Sequence, residues 1–291
     1  MQVAGYNPLN EPADPKHTRL IAYYERIEKV IRDIDPDHIL FLDGNTYAGD
    51  FTHFTKPLPN SVYSIHDYTY YGFPGYAQYT GAPEEDAKLQ NQYDRKVEFM
   101  KKHQVPVCNG EFGPVYATAA DDAEWEKTND GRYGMLNSQL RIYGADRISW
   151  TIWCYKDIGL QGMCYLSEDS AYLKLIKPFV DRARRLGLAF WCRDDKAVAE
   201  FYEPLYKHVE AEIVPEEKRR ARYPGLWDVR RQIDRVVREM LLSEYLVDDY
   251  AILFKDKSFE ELGELADSFK FEQCVQRESL NGVLKADASK P

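Results

Sequence analysis

Short β-rich segments alternate with amphipathic helical segments along residues 1–185, and this alternation restricts the fold more than any other feature of the chain. Candidate strands begin near residues 3, 38, 62, 105 and 148. Apolar residues between them recur at steps of three and four, which is typical of one face of a helix. Strands separated by helical crossovers predict a parallel sheet covered by helices.

Two α/β architectures fit such a pattern, a doubly wound open sheet and a (β/α) barrel. The open sheet normally carries a glycine-rich phosphate-binding turn after its first strand. Neither GxGxxG nor GxxxxGK[ST] occurs in the sequence. We therefore expect a (β/α) barrel. The helical segments that support it are marked by Leu20, Tyr24, Ile27, Ile31 and Ile34, by Tyr93, Val97 and Met100, by Tyr133, Leu136, Leu140 and Tyr143, and by the segment from Ala171 to Arg185.

Residues 186–291 have a different character. Residues 215–222 contain the charge run EEKRRAR, which most often indicates a solvated linker or helix face. Beyond it, apolar periodicity from Val229 to Leu241 predicts a helix, and Ser258 with Glu261 predicts a capping box for another. We expect a barrel domain over residues 1–185 and a helical C-terminal extension over residues 186–291, packed on the barrel.

The composition argues against several classes of binding partner and of structural site. The net charge of −10 argues against nucleic acid and anionic membranes. Five cysteines without a CxxC spacing argue against a disulfide framework or a zinc site. No segment approaches the length of a membrane span and no signal peptide is visible, so a cytoplasmic location is expected. The 22 tyrosines and 5 tryptophans suit stacking on sugar rings, or equally an aromatic-rich core.

Polar side chains follow four of the five candidate strands. Because active sites of (β/α) barrels lie at the C-terminal ends of the strands, these residues should converge. Singly, each has an ordinary structural explanation: a turn, a solvated acid, a core histidine or loop packing. Together they include the carboxylate pair that retaining glycoside hydrolysis needs, about 5–5.5 Å apart. The residues are Asn10 and Glu11 after the first strand, His66, Asp67 and Tyr68 after the third, Glu111 after the fourth and Trp153 after the fifth.

Four of these motifs resemble glycoside hydrolase family 5. Asn10-Glu11-Pro12 is similar to the fourth-strand motif of that family, and His66-x-Tyr68 to the sixth. Glu111 in Gly-Glu-Phe-Gly resembles the seventh-strand motif, and Trp153 in Ser-Trp-Thr-Ile-Trp the eighth. The resemblance covers residues 1–185, while the tail weakly resembles C-terminal extensions of fungal members.

The resemblance implies a role for each residue. Glu111 would be the nucleophile, which calls for a lowered pKa helped by a hydrogen bond from Tyr68. Glu11 would be the acid/base. Asn10 would bind the sugar 2-hydroxyl, His66 would orient polar groups, and Trp153 would stack under the sugar.

The resemblance to family 5 also implies an incomplete (β/α)8 TIM barrel, made of strands 4–8 of the eight in a whole barrel. Three further βα units, on the order of 110 residues, would precede Met1 in a whole barrel. A sheet without them has two open edges, so self-association through those edges is expected, and the chain is interpreted as a fragment of a longer enzyme.

Three functions follow in order of preference. The first is a cofactor-free, metal-free β-glycosidase acting on glucosides, glucans or mannosides. The alternative is a non-catalytic remnant that binds carbohydrate or acts as an interaction protein. A metal-dependent barrel hydrolase comes third, because no His-x-His ends a strand.

Overall fold

The computed structural model describes residues 3–120, 122–188, 198–213, 217 and 229–289. These divide into two compact units. The first unit comprises Met1–Thr69, Tyr79–Gly113 and Gly134–Trp153. The second comprises Tyr70–Gln78, Pro114–Tyr133 and Cys154–Pro291. The expected division at residue 185 into barrel and extension stays a prediction.

A five-stranded parallel sheet forms the first unit, with its strands side by side in chain order. Every connection is therefore a crossover, as the alternation of segments predicts, and the α/β fold class is confirmed. In the part of the chain that the structure describes, the two outer strands do not pair with each other, which fits an incomplete barrel. The strands are β1 (Gly5–Tyr6), β2 (Ile39–Asp43), β3 (Ser61–His66), β4 (Val107–Glu111) and β5 (Ser149–Trp150).

Helices connect these strands. Helix α1 is Leu20–Arg32, the short turn α2 is Asn45–Ala48, α3 is Pro83–His103 and α4 is Trp125–Asp146. Helices α1, α3 and α4 lie near the expected positions, whereas the short turn α2 is not expected from the sequence. Helix α1 ends before Ile34, which is 83% exposed, so the apolar spacing extends two residues beyond the helix itself.

The core of the first unit lies between the sheet and its helices. Leu40, Leu42, Tyr63 and Ile65 alternate along β2 and β3 and are fully buried, as the period of two in a strand requires. An aromatic cluster extends this core, with neighbouring ring centroids 5.0–6.3 Å apart. The cluster consists of Phe51, Phe54, Tyr63 and Phe99.

The second unit holds a three-stranded sheet of β6 (Lys156–Asp157), β7 (Cys164–Leu166) and β8 (Cys274–Gln276). Strand β8 falls in the stretch for which only helices are expected. The other elements of the second unit are helices or single helical turns: Tyr70–Gly72, Ala171–Arg185, Ala199–His208, Val209–Ile213, Val229–Ile233, Asp234–Leu241, Leu242–Ala251, Ile252–Phe254, Phe259–Asp267, Phe271–Gln273 and Glu278–Ala288.

The structure also tests expectations about a capping box, the cysteines and membrane-spanning helices. The capping box of Ser258 and Glu261 is present. Apart from an exposed Glu217, the charge run lies outside the described residues, as does Cys192. None of the four described cysteines forms a disulfide with another described cysteine. Among the described helices, none is long and apolar enough to cross a membrane.

Candidate active site

The loop after β1 carries Glu11 and is attached to the end of β2. The Glu11 backbone N–H donates to Asp43 Oδ2 at 2.9 Å, and Asn7 Nδ2 donates to Asp43 Oδ1 at 2.9 Å. Glu11 has a φ of 46°, a left-handed conformation that is uncommon for a residue other than glycine. The hydrogen bond from its N–H therefore helps to hold a backbone conformation that the residue does not favour by itself.

A second attachment lies a few residues further along the same loop. Asp14 N–H donates to Asn45 Oδ1 at 2.8 Å, and Asn45 Nδ2 donates to the Asp14 carbonyl at 2.9 Å. The Tyr47 N–H donates to the Pro12 carbonyl. The segment following Glu11 is thus fixed to the turn that follows β2.

The ends of β3 and β4 place His66 beside Glu111. Ile65 pairs with Asn109, but His66 pairs with Glu111, so Gly110 is an extra residue in β4. A Cβ atom at Gly110 would lie 3.1 Å from His66 Nε2 and 2.7 Å from Ser64 Oγ. This bulge brings Glu111 level with His66, and the missing side chain of Gly110 leaves room for the imidazole ring.

Four of the six predicted site residues meet in one cluster. His66 is 4% exposed, and its Nδ1 lies 2.8 Å from Glu11 Oε1 and 3.6 Å from Glu111 Oε2. Tyr68 donates its hydroxyl to Glu111 Oε2 at 3.0 Å. One oxygen of each glutamate and one ring nitrogen of His66 all lie within 4.8 Å of one another. Two carboxylates are thus held around a single imidazole.

Asn10 and Trp153 lie outside this hydrogen-bonded cluster in the described part of the chain. Trp153 follows β5, is 45% exposed, and donates its backbone N–H to the Phe112 carbonyl at 2.9 Å. Asn10 precedes Glu11 and is exposed. Both side chains remain accessible to a ligand.

Burial dominates the electrostatics of Glu111. It raises the pKa of the Glu111 carboxyl above its usual value, while His66 and the Tyr68 hydroxyl act in the opposite direction and the Glu11 charge adds to the rise. The expectation of a lowered pKa for Glu111 is therefore wrong. Half-burial at the end of β4 removes water that would otherwise stabilise the anion, and one tyrosine hydrogen bond does not offset that loss.

Asp43, the last residue of β2, is not among the predicted site residues, although it lies in the site and is 1% exposed. Its Oδ2 lies 3.6 Å from His66 Nε2, on the opposite side of the ring from the glutamates. Burial raises the pKa of the Asp43 carboxyl, against the hydrogen bond from the Glu11 N–H. The rule that selects Glu11 and Glu111 also applies to Asp43, because it is an acid at the C-terminal end of a parallel strand.

A buried network around Asp67 supports the same region. Lys96 Nζ donates to Asp67 Oδ1 and to the His66 carbonyl, both at 2.8 Å. Tyr143 donates its hydroxyl to Asp67 Oδ2 at 2.8 Å, and Gln139 Nε2 donates to the Asp67 carbonyl at 2.7 Å. The network ties helices α3 and α4 to the residue that follows His66.

The cluster admits two kinds of chemistry. Imidazole and carboxylate are ligands for divalent transition metals, and Glu11, His66 and Glu111 offer one ligand atom each. The same groups also suit proton transfer and nucleophilic attack, because the imidazole lies between two carboxylates and a tyrosine hydroxyl contacts one of them.

A family model described as Cellulase (glycosyl hydrolase family 5) matches residues 1–159, which contain all six predicted site residues. The chain belongs to glycosyl hydrolase family 5. Its sequence is 45% identical to a Beta-xylosidase of Phanerodontia chrysosporium over 293 residues, covering 99% of this chain and 61% of the relative. This family 5 member therefore spans about three fifths of the length of that relative.

Solved structures similar to this family member include endoglucanase Cel5A from the hyperthermophilic Thermotoga maritima. The two sequences are 22% identical, with a TM-score of 0.44, and the match covers 57% of this chain and 54% of that one. A structure of Thermotoga maritima Cel5A in complex with a mannotriose substrate matches at 22% identity with a TM-score of 0.43, covering 57% of this chain and 54% of the other.

Proposed function

We propose that the protein is a retaining β-glycoside hydrolase in which Glu111 is the nucleophile and Glu11 the acid/base. The observation that carries this proposal is the placement of one oxygen from each glutamate within 4.8 Å. Retaining enzymes hold their carboxyl groups about 5–5.5 Å apart, whereas inverting enzymes need about 6.5–9.5 Å to admit a water molecule.

In the first step Glu111 attacks the anomeric carbon while Glu11 protonates the departing glycosidic oxygen. The bond from carbon to the leaving oxygen breaks as the bond to the Glu111 carboxylate forms. His66, at 2.8 Å from Glu11 and 3.6 Å from Glu111, orients both carboxylates toward the substrate.

In the second step Glu11, now ionised, removes a proton from water as the water attacks the glycosyl–enzyme ester. The bond to Glu111 breaks, and the sugar leaves with the same anomeric configuration. The Tyr68 hydroxyl stabilises the departing Glu111 carboxylate through the 3.0 Å hydrogen bond. No cofactor takes part in this scheme.

The substrates we propose are β-linked glucosides, glucans or mannosides, with β-xylosides added by the similarity to a Beta-xylosidase. Trp153, exposed at the end of β5, offers a flat platform for a sugar ring. Asn10, next to Glu11, would bind the 2-hydroxyl, a contact that strengthens in the transition state.

A 2-deoxy-2-fluoroglycoside with a good leaving group tests the assignment. We expect a covalent glycosyl adduct on the peptide that contains Glu111, detected by mass spectrometry of the digested protein. A chain that binds sugar but forms no adduct would instead support the alternative, a non-catalytic carbohydrate-binding remnant.

Tyr68→Phe should move the acidic limb of the pH–rate profile to higher pH by about one unit. Glu111 must be ionised to attack, so activity is present above its raised pKa and is lost as pH falls through it. Removing the hydrogen bond that opposes this rise pushes the pKa further up. The profile of kcat/KM against pH measures the shift. Tyr245→Phe, at a 77% exposed position, is the control and should leave the profile unchanged.

Gly110→Ala should lower kcat/KM by about 10-fold, since a displacement of about 1 Å in an active site can cost about 100-fold and the shift expected here is smaller. The added methyl would lie 2.7 Å from Ser64 Oγ, so that hydroxyl must move, and 3.1 Å from His66 Nε2, close enough to displace the ring by a few tenths of an ångström. Gly144→Ala is the matched control, because a Cβ there meets nothing within 4 Å. Equal activity of the two variants would contradict the packing described for His66.

A further inference from the structure

The buried carboxylate of Asp43 lies between the loop that carries Glu11 and the imidazole of His66. Asp43 is the last residue of β2 and is 1% exposed. Its Oδ2 accepts the Glu11 backbone N–H at 2.9 Å and lies 3.6 Å from His66 Nε2. Its Oδ1 accepts Asn7 Nδ2 at 2.9 Å. One buried carboxylate therefore contacts the Glu11 loop and faces the imidazole that contacts both glutamates.

The strand that precedes the Glu11 loop is very short. Strand β1 has only two residues, and its register with β2 consists of two pairs, Gly5 with Ile39 and Tyr6 with Leu40. Glu11 lies five residues beyond that pairing, in a left-handed conformation with a φ of 46°. A non-glycine residue keeps such a conformation only where its surroundings hold it.

We propose that Asp43 is a positioning residue that holds Glu11 in place through its backbone N–H and steadies His66 from the opposite side of the ring. The inference rests on the proposed role of Glu11 as acid/base. Asp43 contacts neither the reacting carbon nor the leaving oxygen in this scheme, so its effect on the reaction passes entirely through Glu11 and His66.

Such a role has a signature that a general loss of stability does not produce. Proton donation from Glu11 matters most when the leaving group is poor, because a good leaving group departs without it. The value of kcat/KM reports the step in which the glycosidic bond breaks. A displaced Glu11 should therefore slow the cleavage of a phenyl β-glycoside far more than that of the 2,4-dinitrophenyl β-glycoside of the same sugar.

The experiment compares Asp43→Ala, Asp43→Asn and the wild type on these two substrates. For Asp43→Ala we expect kcat/KM to fall on the order of 100-fold with the phenyl glycoside and less than about 5-fold with the dinitrophenyl glycoside. Asp43→Asn keeps an oxygen that accepts the Glu11 N–H and should recover most of the loss. Asp37→Ala, exposed just before β2, is the matched control and should behave as the wild type.

Equal losses of Asp43→Ala on both substrates would overturn the proposal, as would phenyl glycoside activity equal to that of Asp37→Ala. An Asp43→Asn variant as impaired as Asp43→Ala would also contradict it, since the hydrogen bond from Glu11 would then be irrelevant.

Amide hydrogen exchange provides a measurement that needs no activity. The Glu11 N–H of the wild type should exchange at least about 10-fold more slowly than in Asp43→Ala, while the Tyr63 amide in β3 keeps its protection. Where the alanine variant does not fold, an unprotected Glu11 amide in the wild type alone overturns the inference. A wild type inactive on both glycosides refutes the proposed function and leaves this exchange test able to decide on Asp43.

Discussion

Replacing Glu111 with glutamine is expected to lower kcat on aryl β-glycosides by about 10⁵-fold, comparable to the loss of a nucleophile in other hydrolases that form covalent intermediates. Glutamine has the shape of glutamate and can still accept the hydrogen bond from Tyr68, so the cluster should keep its geometry. What disappears is the anionic oxygen that attacks the anomeric carbon. Steady-state hydrolysis of a chromogenic glycoside measures the loss.

The control for this variant is Glu98→Gln, the same substitution at an exposed position of helix α3. It should retain wild-type rates. A Glu111→Gln protein that is folded and keeps more than about a tenth of the activity would show that another group is the nucleophile.

The second large effect is expected on stability. Lys96→Met removes the cation from a buried pair in which Lys96 Nζ lies 2.8 Å from Asp67 Oδ1, with Asp67 2% exposed. Removing one partner leaves a buried carboxylate without its counter-charge, which typically costs about 3–5 kcal/mol in free energy of unfolding. The tyrosine and glutamine donors around Asp67 place the expected loss at the lower end, about 3 kcal/mol.

Urea unfolding monitored by circular dichroism gives the difference directly. Lys101→Met is the matched control, because Lys101 also pairs with aspartates but its side chain is 50% exposed. It should cost less than about 1 kcal/mol. The double variant Lys96→Met with Asp67→Asn should recover part of the loss, and a Lys96→Met protein as stable as the control would show that the pair contributes nothing.

The sequence predicts the framework of the first unit well. All five strands begin within two residues of their expected positions, because each is a short apolar run bounded by proline, glycine or polar residues. The convergence of Glu11, His66, Tyr68 and Glu111 also follows from the sequence, since the carboxyl ends of parallel strands share one edge of the sheet.

The interactions beneath the site are not predictable in the same way. Lys96 reads as an ordinary polar residue of an amphipathic helix, and only the packing of α3 against β3 shows that it reaches Asp67 and the His66 carbonyl. Asp43 is recognisable in the sequence only as the end of a strand, and its hydrogen bond from the Glu11 N–H is visible only in the folded structure. The raised pKa of Glu111 likewise depends on solvent exclusion, a property of the folded site.

The expectations about activity, self-association, location and the helical extension are not decided by the site geometry. The chain spans about three fifths of its Beta-xylosidase relative, so the activity of the isolated chain remains part of the proposal. Self-association through the sheet edges, a cytoplasmic location and a separate helical extension stay predictions. Gel filtration with light scattering would test the first of them.

The extra residue in β4 has a consequence for how this protein can change during evolution. The bulge places Glu111 opposite His66, whereas a regular ladder continued from Ile65 and Asn109 would place Gly110 there. Insertions and deletions of a single residue should therefore be absent from this short stretch in functional descendants of the gene, while the loops at the other end of the sheet remain free to vary in length. A library of single-residue deletions across residues 104–113, selected for hydrolysis, would reveal that boundary.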